Sequence, residues 1–400
     1  MSVKTVYFNS DGDCLPFSFE DGYRGTTRKF GLDNISSNPR MHLMSAMLPR
    51  EEGQGEMIYL LIAAEYVMHS SPREYSGDFV VNGPGSGYFK SDENITKSPH
   101  ISQWISPELM SLWKANVDLI FRTLTGYAFE EIKNRPDEFE IAELAEELPR
   151  DWTYRQFNPD FFKDIFNEAP LADPDTRLIL MGWGRGAVSC HMLANLLRND
   201  SKFCNIPINI LAIDPVTGTS SPELDQTTLG SNVKEYVGLY ARDERSSNLP
   251  CIVPDTASTT LVHLYPIAGR HTTLIGNQAS DGENKPGTFS EPSELVFFLS
   301  QKCLSRWRGP DFYKNKDYPD LSLFNRSNEV LAKIKSEYDD YVFMRNTTYS
   351  NQDHDIKNER TIILNGQLTN FKSAQGARFT PSQGLAKGHI DDVTYFKDIL

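Results

Sequence analysis

The chain has 400 residues, 39% hydrophobic and 24% charged, which suits one large α/β domain with additions, or two domains, and excludes a disordered composition. Its 40 basic and 54 acidic residues leave a formal net charge of -14. That balance argues against a nucleic-acid partner and against electrostatic attachment to an anionic membrane, because both rest on Lys and Arg.

The cysteines, Cys14, Cys190, Cys204, Cys251 and Cys303, are scattered, odd in number and free of any CxxC pair. They read as reduced thiols in a cytosol-like compartment rather than as a disulfide framework or a zinc knuckle. The histidines form no HxxxH or HxH set, so neither a metal nor another cofactor is expected. The longest apolar run, Met57 to Ala64, is too short to cross a bilayer, so no transmembrane segment is expected. Met1-Ser2-Val3-Lys4 runs straight into a strand-like segment, so no signal peptide is expected. The expected location is the cytoplasm of the producing cell, with export by a signal-peptide-independent machine left open.

In chain order, Val3 to Phe8 is rich in β-branched and aromatic residues and ends at a polar loop, Asn9 to Asp13, which predicts a strand and a turn. Met57 to Ala64 fits a buried strand or a short buried helix. Asp78 to Val81 predicts a strand that stops at Asn82-Gly83-Pro84-Gly85-Ser86-Gly87. A helix follows, with Ser106 as cap, Pro107 in its first position and Gly126 as its end. Leu109, Leu112, Trp113, Val117, Ile120 and Leu124 recur at spacings of three and four on its buried face. Residues 137–148 are acidic with apolar residues interleaved, the pattern of a solvated amphipathic helix.

Leu178 to Met181 is a buried-strand run, Gly182 to Gly186 a turn, and Ala187 to Arg198 a helix. Strands are predicted at Ile208 to Ile213, Glu235 to Ala241 and Leu261 to Ile267, ending at Asp214-Pro215, Arg242 to Arg245 and Ala268 to His271 respectively. Strands separated by helices and polar loops predict an α/β fold with a mostly parallel sheet covered on both faces. The pattern breaks near Trp307-Arg308-Gly309-Pro310. Residues 1–304 are therefore assigned to one α/β domain and 305–400 to a C-terminal extension of unknown role. Within the extension, Glu329 to Met344 predicts a helix and Thr361 to Leu364 a strand.

The middle segment carries the chemistry. A nucleophile elbow is written G-x-S-x-G, because strand and helix approach closely and the central residue is strained. Gly182-Trp183-Gly184-Arg185-Gly186 has that spacing, with a strand before and a helix after, but glycine at the centre. The order expected in such a fold is nucleophile, acid, histidine. Asp243 follows the second strand after the turn and His271 the third, so they are the candidate acid and base, with Asp214 as the rival acid. Gly83 to Gly87 is no P-loop, since no Gly-Lys-Ser/Thr follows, and Gly182 to Gly186 lacks the dinucleotide-binding spacing.

The order of five local patches resembles the α/β-hydrolase family that includes phospholipase effectors of the bacterial type VI secretion system. It is also similar to lipase-like effectors that intracellular bacteria deliver through a type IV system. Asp11-Gly12 resembles the family's Asp-Gly-Thr loop, and Gly83-Pro84-Gly85-Ser86-Gly87 its Gly-x-Gly-Thr-Gly loop. Gly182 to Ala187 resembles its Gly-Phe-Ser-Arg-Gly-Ala elbow, Ala241 to Arg245 its Asp-Glu-x-Arg segment, and Gly269 to His271 its Pro-Gly-x-His. The resemblance spans residues 3–276 and leaves the C-terminal hundred uncovered. It implies a lipase or esterase scaffold, phospholipases included. The backbone N–H of Arg185, with one from Asp11-Gly12, would hold an oxyanion, and Gly85-Ser86-Gly87 would line the pocket.

Glycine at position 184 has no atom that can attack an acyl carbonyl. Three accounts of it are open: a natural pseudoenzyme, a deliberate replacement of serine, or a relocated nucleophile. For the last, Ser86 and Ser10 rank above Ser189, which is expected to point away from the site. Two functions remain: an acyl-ester hydrolase scaffold acting as an effector, inactive as written, or a binding module that recognises a lipid or a host protein. The expected partners are thus a lipid or small ester substrate, or a host protein.

Overall fold

In the computed structural model the described residues are 3–8, 78–81, most of 113–127, most of 171–275, 291–308, 327–348 and 360–370. Asp11, Gly12, Ser10, Gly85, Ser86, Gly87, Met57 to Ala64 and residues 137–148 lie outside them. The fold is α/β. Its main sheet has six strands in the order β2-β1-β3-β4-β6-β9: β1 (Val3–Phe8), β2 (Asp78–Val81), β3 (Arg177–Trp183), β4 (Ile208–Ile213), β6 (Val233–Ala241) and β9 (Leu261–Ile267). Pro266 falls in β9, the last strand of that order, where a missing N–H leaves no ladder partner unsatisfied. The chain forms two compact units, the first drawn from Met1–Ser18, Tyr66–Glu235 and Pro254–Leu261, the second from the remainder.

In the first unit β1 pairs in parallel with β2 and with β3, and β3 with β4. Parallel neighbours require crossovers, and the chain supplies one as α1 (Arg185–Asn199) between β3 and β4. β3 is buried from Leu178 to Trp183, as a strand covered on both faces must be. Of the helix expected from Pro107 to Gly126, helical residues are described from Trp113 on, with Trp113, Val117, Ile120 and Leu124 buried and Gly126 at φ 80°; Ser106, Pro107, Leu109 and Leu112 lie outside the described residues. A four-residue helix, α2 (Leu224–Thr227), is fixed by a capping box between Glu223 and Gln226. It leads into β5 (Thr228–Leu229), which pairs in parallel with β8 (Asp255–Thr256).

The second unit holds β6 from Tyr236 and β9 from Val262. Their ends are joined by Arg242 N–H to Ile267 O (2.7 Å) and Asp243 N–H to Gly269 O (2.9 Å). Around them are α3 (Glu291–Arg308), α4 (Ser327–Ser336) and α5 (Tyr338–Thr348). α3 carries Pro292 in its first turn and arginines in its last, both favourable places. The single helix expected over Glu329 to Met344 is instead α4 and α5, parted at Glu337. There the Ser336 hydroxyl donates to the Lys333 carbonyl that the Glu337 N–H also uses, a local competition that loosens the helical ladder.

Residues beyond 304 enter this unit directly. β10 (Thr361–Leu364) pairs in parallel with β7 (Cys251–Val253) and antiparallel with β11 (Gln367–Asn370). Asn365 and Gly366, both at positive φ, make the two-residue turn of that hairpin, the type I′ geometry that Asn-Gly favours. Arg360 is 1% exposed and donates to the carbonyls of Ala241 (3.0 Å) and Leu249 (2.9 Å).

Candidate active site

The elbow belongs to the first unit. Gly184, the residue between β3 and α1, has φ 58° and ψ -124°, a conformation that L side chains adopt only under strain. Its N–H donates to Ile213 O at the end of β4 (3.0 Å), and its carbonyl accepts from Val188 (3.3 Å) and Val216 (3.4 Å). The turn is thus tied to both the strand beside it and the helix after it. Gly182 is required by proximity. A Cβ there would lie 2.4 Å from the carbonyl carbon of Gly186 and 2.6 Å from the nitrogen of Ala187. The close approach of β3 and α1 explains why small residues, Gly186, Ala187 and Cys190, line that helix face, all of them buried.

Serine at position 184 would have to adopt the strained backbone. We expect Gly184→Ser to lower stability by roughly 1 kcal/mol while leaving the fold intact. Denaturant unfolding checks this, and a clearly more stable variant would contradict a strained elbow.

Arg185 opens α1, so its backbone N–H points out of the helix's own hydrogen-bond ladder. Its guanidinium is turned aside. Nε donates to Thr217 O (3.3 Å), the group stacks 5.9 Å above the Trp113 ring, and Gly218 leaves it room at φ 75°. Ser189 is fully engaged in packing: its hydroxyl donates to Arg185 O (3.1 Å) and accepts from Trp113 Nε1 (2.7 Å). Asp214, past the end of β4, is completely buried with φ 45°. It is one of two non-glycine residues at positive φ among the described residues, which marks a backbone held against its preference.

Two residues beyond Ser189 along α1, His191 is completely buried, with Nδ1 2.8 Å from Gln226 O. Burial pushes its pKa down to about 4, partly opposed by that hydrogen bond. The unfolded chain takes up the proton near pH 6.5, whereas the folded protein resists it until about pH 4. The stability that this histidine allows is therefore complete above pH 6.5. It is lost as pH falls from there toward 4, at up to about 1.4 kcal/mol per pH unit. We expect His191→Gln, whose amide can donate to the same carbonyl, to flatten the pH dependence of unfolding across that window. Parallel curves for the two proteins would contradict the assignment.

Asp243 and His271 belong to the second unit. Asp243 follows β6 and is completely buried. Its Oδ2 accepts from the Gly269 N–H (2.9 Å) and from Arg242 Nε (3.1 Å), and pairs with Arg242 Nη2 (3.0 Å). Arg345 Nη1 stands 3.6 Å from Oδ1. Gly269 turns the chain after β9 at φ 96°, where a Cβ would meet Thr273. His271 is buried, and its backbone N–H donates to Glu244 Oε2 (3.1 Å).

Glu244 was not singled out from sequence. Its Oε1 accepts the N–H groups of Arg245 (3.0 Å) and Ser246 (2.7 Å), so one buried carboxylate fixes the loops after both β6 and β9. Its sequence signals are its place next to Asp243 at a strand end and the resemblance of Ala241 to Arg245 to an Asp-Glu-x-Arg segment, neither of which gives it a role. Among the described residues no group of His, Cys, Asp and Glu is placed to hold a metal ion, and no helix is long and apolar enough to cross a membrane.

No protein-family model matches the chain, and no curated protein matches it in sequence. Among solved structures it is similar to an uncharacterized protein from Pseudomonas aeruginosa, at 13% identity and TM-score 0.39, over 89% of this chain and 55% of that one. It is also similar to the Tle1 effector in its complex with the VgrG spike of the type VI secretion system, at 11% identity and TM-score 0.30, over 71% of this chain and 53% of that one. The chain thus spans about half the length of these neighbours.

Proposed function

We propose that the chain is an ester-hydrolase scaffold of the lipase and esterase kind in which Gly184 occupies the nucleophile position. Position 184 as written has no atom to attack an ester, and the protein is expected to turn over none. The observation that carries this reading is the backbone at Gly184, bent between a buried strand and a helix at φ 58° and ψ -124°, with Gly182 excluded from bearing a side chain by Gly186. That is the local architecture an elbow needs. The order along the chain assigns the base to His271 and its orienter to Asp243, with Asp214 as rival acid. The Arg185 N–H, first in its helix, is assigned to the oxyanion.

The patches at Asp11-Gly12 and Gly83 to Gly87 extend the reading to an acyl ester of a lipid as substrate, and to an effector as biological role. Hydrolysis of p-nitrophenyl esters of short and long acyl chains tests it. The protein as written is expected to stay at background and Gly184→Ser to rise above it. Turnover by the unaltered protein, lost on changing Ser86 or Ser10, would show a relocated nucleophile instead.

A further inference from the structure

The loop after β6 buries an excess of positive charge. Arg242, Arg245, Arg345 and Arg360 are each at most 7% exposed, and among the described residues the carboxylates beside Arg245 are those of Asp243 and Glu244. Both carboxylates are committed. Asp243 serves Arg242 and the Gly269 N–H, and Glu244 serves three backbone N–H groups. Nearby Glu291 is paired with Lys333. Arg360 spends its Nη1 and Nη2 on backbone carbonyls.

Arg245 is different. Only its Nη1 is used, on the carbonyls of Arg242 (2.8 Å) and Glu244 (2.6 Å), while Nε and Nη2 are buried without a hydrogen-bond partner. Arg345 Nη1 is likewise buried without one, its approach to Asp243 at 3.6 Å being too long. Burial, opposed by Asp243 and reinforced by Arg345 and Arg360, brings the Arg245 pKa down to about 10. Donors of a buried cation left in this way are strongly unfavourable unless something accepts from them. Nε and Nη2 of one guanidinium form the fork that fits two oxygens of a tetrahedral oxyanion.

We propose that this cluster is an anion site that takes a phosphate group, held by Nε and Nη2 of Arg245 with Arg345 beside it. Among the described residues, four guanidinium groups against the two carboxylates of Asp243 and Glu244 favour a dianion over a singly charged carboxylate. The site stands independently of the hydrolase reading.

Calorimetric titration of the full chain with inorganic phosphate, at constant ionic strength in chloride, tests it. Saturable binding at one site is expected, with acetate binding at least tenfold more weakly. Arg245→Met removes the fork and is expected to weaken phosphate at least tenfold. Arg345→Gln leaves the Arg245 carbonyl contacts in place and is expected to weaken it about tenfold, one charge-assisted hydrogen bond's worth. This second variant decides the matter if Arg245→Met does not fold. Glycerol 3-phosphate binding more tightly than inorganic phosphate would identify an esterified phosphate as the source, and weaker binding the free ion; either outcome supports the site. Absence of saturable phosphate binding, equal binding of acetate, or phosphate affinity unchanged in Arg345→Gln would overturn it.

Discussion

Gly182→Ala is expected to cost about 3 kcal/mol of stability, the upper part of the range for overpacking a rigid interior. The added methyl would lie 2.4 and 2.5 Å from the carbonyl carbon and oxygen of Gly186 and 2.6 Å from Ala187 N. All three are backbone atoms in the first turn of α1, so no side chain can swing away. Strand and helix must separate, against Ala187, Val188 and Leu193, which are all completely buried. Gly366→Ala is the comparison. Gly366 also has positive φ, but nothing lies within 4 Å of its Cβ position, so only the backbone preference is lost, about 1 kcal/mol. Denaturant midpoints of the two variants measure the contrast. If Gly182→Ala were the milder change, close packing of β3 on α1 would not be what fixes glycine at that position.

Gly184→Ser is expected to raise ester hydrolysis at least about a hundredfold over the unaltered protein, a small part of the roughly 10⁶-fold that an intact triad supplies. The new hydroxyl needs a base to take its proton, so His271→Ala in the same background should return the rate to background. The acid should show a different signature. Asp243 already bonds Arg242 and the Gly269 N–H, so Asp243→Asn disturbs a buried ion pair as well as any role as orienter. Asp214, completely buried at φ 45° past the end of β4, is the rival. In the serine background, loss of activity with Asp214→Asn but not with Asp243→Asn would transfer the acid's role. A rate that is insensitive to His271 would remove the triad assignment altogether.

Much of the first unit was legible in the sequence because its signals are local. β1, β2 and β4 are predicted at their observed bounds, and β3 and α1 to within two residues. The glycine spacing at 182–186 announced a close strand–helix approach, and the structure supplies the contacts that require it. In the second unit β9 and β10 are predicted at their observed bounds too, but what they pair with is not legible, for a physical reason: the partners are remote in the chain. β7 is three residues long and, among the described residues, takes its strand neighbour from β10, more than a hundred residues later. Arg345 approaches Asp243 across a similar separation, and Arg360 caps the Ala241 carbonyl. No periodicity or spacing encodes such pairs. Residues 305–400 therefore read as an appendage of unknown role, although α4, α5 and β10 supply buried residues such as Leu331, Tyr341 and Ile362. Glu244 falls in the patch that resembles Asp-Glu-x-Arg, but its role rests on three amides that the folded loops bring to it.

The claim that position 184 is a nucleophile position is tested most directly by covalent capture. A fluorophosphonate ester reacts with an activated serine hydroxyl, expelling fluoride and leaving one phosphonyl group on the oxygen. After brief exposure, intact-protein and peptide mass spectra should show one adduct on the Gly184→Ser protein, within the peptide that spans 182–186, and none on the unaltered protein. Adding His271→Ala should abolish the labelling. A folded Gly184→Ser protein that stays unlabelled, or that labels equally with and without His271, would contradict the account.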